Sequence, residues 1–245
     1  MNLTILHFYP DLMNLYGSYA NVTVLSGLLQ RLGHAVKIRN VVPGDGVRFT
    51  DADFVYMGAG TERRQKFALA DFRRHADNIR AAASDGLPML FAGTAMELLG
   101  EQVTDADGNT VPGIALAPFQ TVQHTKRVVG DVYAHTELFP EAVVGFINKC
   151  GIVSGVDSPL LTALDMGFGN EAEHGAEGWH KHNVYASELT GPLLVKNPKL
   201  LEHVAAALLT RKGLTPPDTY PVDVWARQGY DVTARELAAR ISGKS

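Results

Sequence analysis

Three short apolar runs, each stopping at a glycine or proline turn, constrain this chain most. Thr4 to Tyr9 ends at Pro10-Asp11, Phe54-Val55-Tyr56-Met57 at Gly58-Ala59-Gly60, and Met89-Leu90-Phe91-Ala92 at Gly93-Thr94-Ala95. A short run rich in apolar, aromatic and β-branched residues with no polar face predicts a buried strand, covered on both sides. Helical periodicity lies between them. Asn21 to Leu32 places Val22, Val24, Leu25, Leu28, Leu29 and Leu32 on one broad face ahead of Gly33, and a polar helical stretch runs from about Glu62 to Ser84. Ala35 to Val42 alternates like a further strand. Such alternation predicts an α/β fold, a mostly parallel sheet with helices on both faces.

The middle of the chain changes character. Asp105-Ala106-Asp107-Gly108-Asn109 is a hairpin turn signal, and Ala115 to His135 offers strand-like runs without a helix, which predicts an antiparallel extension of the sheet. Asn197-Pro198 then opens a helix with Leu200, Leu201, Val204, Leu208 and Leu209 as its buried stripe up to Gly213. Thr215-Pro216-Pro217 through Tyr220-Pro221 reads as a linker, and Thr233-Ala234-Arg235-Glu236 as the capping box of a short terminal helix. The expected organisation is a main domain over 1–213 and a linker with a short helical appendix over 214–245.

With 46% hydrophobic residues and a net charge of -4 over 245 residues, the composition excludes a disordered chain and argues against phosphate-led nucleic-acid binding. The single cysteine, Cys150, cannot form an intrachain disulfide, so a reducing, cytoplasmic setting is expected. The apolar N-terminus lacks a basic region and a cleavage site, and no run approaches about 18 apolar residues, so neither an export signal nor a membrane span is expected.

In such sheets ligands sit outside the carboxyl ends of the strands. Gly58-Ala59-Gly60 has the form of an oxyanion-binding turn, and Phe91-Ala92-Gly93-Thr94-Ala95 that of a strand-to-helix nucleophile elbow. Both also fit ordinary turns. Thr94 suits a cap on the following helix. Cys150 fits a small buried hydrophobe, its side chain pointing away from that of Lys149. His174, Glu177, His180 and His182 are the densest group of potential metal ligands, with His180 and His182 on one face of a strand, but their polar setting reads as a solvated loop, and no metal or cofactor is expected. Glu62, Arg63, Arg64 and Lys66, with Asp71, Arg73 and Arg74 beyond, read as a solvated helix face.

A family resemblance joins these segments. Asp11-Leu12-Met13-Asn14-Leu15-Tyr16-Gly17 with Asn21, Met57-Gly58-Ala59-Gly60-Thr61-Glu62-Arg63-Arg64-Gln65, Gly86-Leu87-Pro88 leading to Leu98-Leu99-Gly100, Thr125 to Asp131, Val144 to Asn148, Gly167 to Asn170 and Gly191 to Pro198 stand in one order. That series resembles the class I glutamine amidotransferase subunit of lipid II isoglutaminyl synthase, in the cobyric-acid-synthase-like group, from the first strand to about Gly213. The resemblance implies a class I amidotransferase α/β domain that hydrolyses glutamine with a cysteine at the elbow, a histidine and an acidic residue. It also implies a Mur-ligase-like partner subunit, in a heterodimer, that uses the ammonia to amidate D-glutamate in the peptidoglycan stem peptide.

This chain departs from the pattern where the chemistry lies. The cysteine position falls on Gly93, which has no side chain to form an acyl intermediate, and the histidine position on Thr190, which has no basic lone pair. The acidic position falls on Ser18, and the middle of the three-glycine oxyanion turn on Ala59. Arg127 matches an arginine that the family uses near its glutamine site, and fits an exposed strand arginine equally. The expectation is a pseudoenzyme that supports or regulates a Mur-ligase-like subunit. Two alternatives stay open: an active enzyme with another nucleophile, Cys150 or Thr94, and a protein binding glutamine or a related small molecule around Gly58, Gly60, Gly93 and Arg127.

Overall fold

A computed structural model describes residues 1–221 and 223–243. Its first half alternates as expected: β1 (Asn2–Phe8), α1 (Ala20–Arg31), β2 (Ala35–Val41), β3 (Phe54–Met57), α2 (Glu62–Phe72), α3 (Ala76–Ser84) and β4 (Met89–Ala92). The single polar helix expected after β3 is two, separated by a 3-10 turn at Arg73–His75. Then come β5 (Gln102–Thr104), β6 (Thr110–Pro112), β7 (Gln120–His135), β8 (Val143–Ser154), β9 (Ala163–Met166), β10 (Trp179–Lys181) and β11 (Val184–Ser187). Three helices follow, α4 (Leu193–Lys196), α5 (Pro198–Arg211) and α6 (Val224–Ile241).

The main sheet has the order β10-β11-β4-β3-β1-β2, parallel except for the β10–β11 pair. Both faces are covered over its centre, which explains why β3 and β4 are apolar at every position, while the edge strand β2 carries exposed Lys37 and half-buried Arg39. Along β4, Met89 and Phe91 enter a core with Phe72 of α2 and Ile79 of α3, while Leu90 and Ala92 enter one with Leu25 of α1 and Val204 of α5. The chain reverses its direction of travel between β1 and β3, so the crevice outside their carboxyl ends is where a ligand site forms in such a sheet.

The strands of the middle do not extend that sheet but form one of their own, β6-β5-β7-β8 with β9 on β7, antiparallel except for the β5–β7 pair, and Ile147 of β8 bridges to Leu189 just after β11. In the β5–β6 hairpin Asp105 Oδ1 accepts the backbone N–H groups of Asp107 (3.0 Å) and Asn109 (2.8 Å), as an Asx turn should. In β7, Gln123 pairs with Gly151 and Val128 with Lys149, so 124–127 bulge out opposite Cys150 alone.

Two expectations about the C-terminal part need correction. Asn197 stands at the N-cap of α5 but makes no capping bond with its side chain. Instead it clamps β8, accepting from Val144 N (2.8 Å) and donating to Val144 O (2.9 Å). The terminal helix is not short and does not start at Thr233: it has 18 residues and is capped by Asp223, which accepts from Trp225 N and Ala226 N. Thr233 lies in its interior, its hydroxyl donating to Gly229 O at 2.8 Å. Gly229 and the β-branched Val232-Thr233 weaken local propensity. Packing supplies what propensity lacks, through Tyr230 and Leu237 against Val144 and Met166, and ion pairs Arg227–Glu141 and Arg240–Asp131. No described helix is long and apolar enough to cross a membrane.

Candidate functional site

The turns after β3 and β4 meet at the carboxyl edge of the main sheet. Gly93 follows β4 with φ +63°, the left-handed conformation of an elbow, which glycine adopts without the strain a side chain would add. Its missing side chain is matched across the gap. A Cβ on Gly93 would lie 2.6 Å from Ala59 Cβ, so Ala59 fills the place where a side chain at the elbow would begin. On either side of Ala59, a Cβ at Gly58 would approach Met13 O to 2.8 Å, and one at Gly60 would approach Met13 Sδ to 2.5 Å.

The amides of this turn are engaged within the chain. Gly60 N–H donates to Thr94 Oγ1 at 2.9 Å, and Thr94 Oγ1 donates back to Gly60 O at 3.0 Å. Thr94 therefore ties the elbow to the oxyanion turn and is not a cap: it lies inside the 3-10 helix Gly93–Leu99, which has no side-chain cap. Ala59 N–H donates to Ser18 Oγ at 3.4 Å. Ser18 is fully buried and pairs with the Tyr56 hydroxyl at 2.6 Å, Tyr56 donating to Ser18 O at 2.7 Å. Asn21 donates to Tyr56 at 2.9 Å and accepts from Leu194 N at 2.7 Å. Burial pushes the Tyr56 phenol up to about 12, so this network stays neutral at ordinary pH. Thr190 donates its hydroxyl to Phe146 O at 3.0 Å.

Arg127 comes to the same place from the β7 bulge. Its Nη1 donates to Glu62 Oε1 at 2.5 Å, its Nε to Asn148 Oδ1 at 2.7 Å and its Nη2 to Asn148 O at 2.8 Å. Asn148 in turn donates to Tyr16 OH at 2.9 Å. A cavity of about 80 Å³ remains, lined by Tyr16, Gly60, Glu62, Thr94, Arg127 and Thr190 among others. Glu62 thus turns into the site rather than sharing a solvated face, while Arg63 and Arg64 beside it stay exposed. Asp71 also turns inward, accepting from Tyr9 OH at 2.8 Å.

Cys150 is nearly buried on β8, and its thiol donates to Glu62 Oε1 at 3.3 Å. Burial and the neighbouring Glu62 carboxylate push that thiol up to about 12. It is held as a thiol, the non-nucleophilic form. Lys149 points the other way, into a buried ionic cluster: its ammonium pairs with Glu188 and donates to Gly169 O (2.8 Å) and Asn170 O (3.2 Å). Glu97 accepts from Gln65 (2.9 Å) and Gln123 (2.7 Å), and Glu177 from Glu188 N (2.6 Å) and Ser187 (2.9 Å). Burial raises all three carboxyls, Glu188 to about 8 even with Lys149 pulling it down. Sequence reasoning missed this cluster. Its one signal was a lysine amid the apolar positions of β8.

The other sequence-selected group is dispersed. His182 sits in the β10–β11 turn with φ +54°, not on a strand face with His180, which stacks on Tyr185 at 4.9 Å between ring centroids. His174 bonds Leu164 O at 3.2 Å, and Glu177 belongs to the buried cluster. Among the described residues no three potential ligands converge on a metal position.

An elbow after β4, an amide turn after β3 and a switch point at β1 define the α/β class to which glutamine amidotransferases belong. A solved glutamine amidotransferase from Thermotoga maritima shares this fold, with a TM-score of 0.54 and 9% identity over 98% of this chain and 97% of that one. In sequence, residues 4–198 match the CobB/CobQ-like glutamine amidotransferase domain, and the chain belongs to that family. Two relatives are each named lipid II isoglutaminyl synthase (glutamine-hydrolyzing) subunit GatD. The one from Staphylococcus aureus is 29% identical over 86% of each chain. The one from Streptococcus pneumoniae is 29% identical over 98% of this chain and 90% of its own.

Proposed function

We propose that this chain is the amidotransferase-like subunit of an assembly of the lipid II isoglutaminyl synthase kind, with glutamine hydrolysis lost, and that it supports or regulates a Mur-ligase-like partner that amidates D-glutamate in the peptidoglycan stem peptide. The observation that carries the reading is the pairing of Gly93 with Ala59. The elbow offers no nucleophile, and the Ala59 methyl occupies the space in which one would start. An acyl-enzyme route needs an activated nucleophile beside a base and free amides facing the developing oxyanion. Thr190 gives its proton to a backbone carbonyl, and Gly60 N–H gives its own to Thr94. The Cys150 thiol is held protonated beside a carboxylate, which disfavours it as a substitute.

The names of the relatives support the biological setting, and the retained framework around an empty elbow supports a role other than hydrolysis. Ammonia release from glutamine, measured on the chain together with a Mur-ligase-like subunit, tests the reading. The expected rate equals that of the partner alone. A rate well above that background, lost on Cys150→Ala or Thr94→Ala, would overturn it.

A further inference from the structure

The cavity beside Gly60 and Thr94 has a charged wall that is already occupied. Every nitrogen of the Arg127 guanidinium donates within the chain, and the anion it meets is the Glu62 carboxylate, at 2.5 Å. Glu62 is fixed from two further directions. The Cys150 thiol donates to the same carboxylate oxygen at 3.3 Å. Its backbone opens α2, directly after the Thr61 cap, where the free amides of the first turn favour a negative charge. Burial alone would raise this carboxyl, but the bonds from Arg127, from its own backbone amide and from Cys150 outweigh that and hold it below the usual carboxylate range. The remaining space, about 80 Å³, accommodates water but falls below the roughly 300 Å³ at which small-molecule pockets begin.

An arginine on a pocket wall bonded to a carboxylate is the arrangement a bound small carboxylate makes. We propose that Glu62 is an internal ligand: its carboxylate takes the seat at Arg127 that a free amino acid or other small carboxylate would take, so the cavity is a carboxylate site masked by the chain itself. The β7 bulge is what makes this possible, because 124–127 stand opposite the single residue Cys150 and bring Arg127 back over α2. The inference concerns occupancy and is separable from the loss of hydrolysis. A chain that hydrolysed glutamine would sink the earlier reading and leave this one to be judged by binding.

Calorimetry on the full chain, with L-glutamine and with acetate as separate probes, tests it. Wild type is expected to give no binding heat at millimolar probe. Glu62→Ala, natively folded by circular dichroism, should bind at least about tenfold more tightly than wild type, the scale of one lost charge-assisted competitor. Glu62→Gln, which keeps the shape but removes the charge, should show a smaller gain and carries the test if Glu62→Ala misfolds. Adding Arg127→Ala should abolish the gain in either background. Equal binding by wild type and the Glu62 variants, no gain in a folded variant, or a gain that survives Arg127→Ala would each overturn the proposal.

Discussion

Inserting one methyl group at the elbow probes the relation between Gly93 and Ala59 directly. In Gly93→Ala the new Cβ would stand 2.6 Å from Ala59 Cβ and 3.3 Å from Ala59 Cα. Ordinary carbon contacts lie near 3.5–4.0 Å, so the two turns must separate by about 1 Å. Neither turn yields easily, since Thr94 is bonded to both the amide and the carbonyl of Gly60, and Gly58 is backed by Met13 O. Overpacking of this kind costs roughly 1–3 kcal/mol. The left-handed φ of +63° adds roughly 1–2 kcal/mol for any residue with a Cβ. Gly93→Ala should therefore lose about 2–5 kcal/mol, and Ala59→Gly alone about 1–2 kcal/mol from a lost buried methyl and a freer unfolded chain. In the double variant the collision is gone while the φ penalty remains. Urea unfolding of the four proteins should show the double variant more stable than additivity allows by about 1–3 kcal/mol. Additivity to within about 0.5 kcal/mol would refute the claim that Ala59 fills the elbow.

Other predictions follow from the buried charges and the terminal helix. Glu188 has its folded pKa raised from 4.5 to about 8, so the folded state holds this proton more tightly than the unfolded chain, and the stabilisation is complete below about pH 4.5 and lost as pH rises towards 8. Wild type should therefore lose stability relative to Glu188→Gln between pH 5 and 8 in paired urea titrations, and a pH-independent difference would contradict the assignment. The comparison matters because buried His7, lowered to about 4, gives the opposite slope between about pH 4 and 6.5. Leu237→Ala should cost about 2–5 kcal/mol and expose α6 to limited proteolysis ahead of the rest, since Leu237 and Tyr230 are the buried residues that seat that helix. Tyr230→Phe should cost only about 1 kcal/mol, the worth of the hydroxyl bond to Ala142 O at 2.9 Å.

The parallel sheet was legible because its central strands are buried on both faces: the runs at Phe54–Met57 and Met89–Ala92 coincide with β3 and β4. The positions Gly93, Ala59, Ser18 and Thr190 were legible as departures from a pattern, but their contacts were not. Ala59 and Gly93 are brought together only when β3 and β4 pair in register. Glu62 resembled its exposed neighbours Arg63 and Arg64, and its inward turn depends on a bulge on a strand some sixty residues later. Lys149 meets Glu188 across 39 residues of chain, a separation at which no periodicity speaks. The capping-box pattern at Thr233 points to a helix shorter than α6, a local signal that packing on β7, β8 and β9 overrides.

The claim that the elbow carries no nucleophile is tested most directly by covalent trapping. A glutamine analogue bearing a diazoketone in place of the amide alkylates the activated thiol of a glutaminase. The chain, assembled with a Mur-ligase-like subunit and incubated with that analogue near pH 8, is then examined by intact-mass spectrometry. An unmodified chain is expected, because Gly93 offers no thiol and the Cys150 thiol is pushed up to about 12. A single stoichiometric adduct on Cys150, prevented by glutamine, would contradict it.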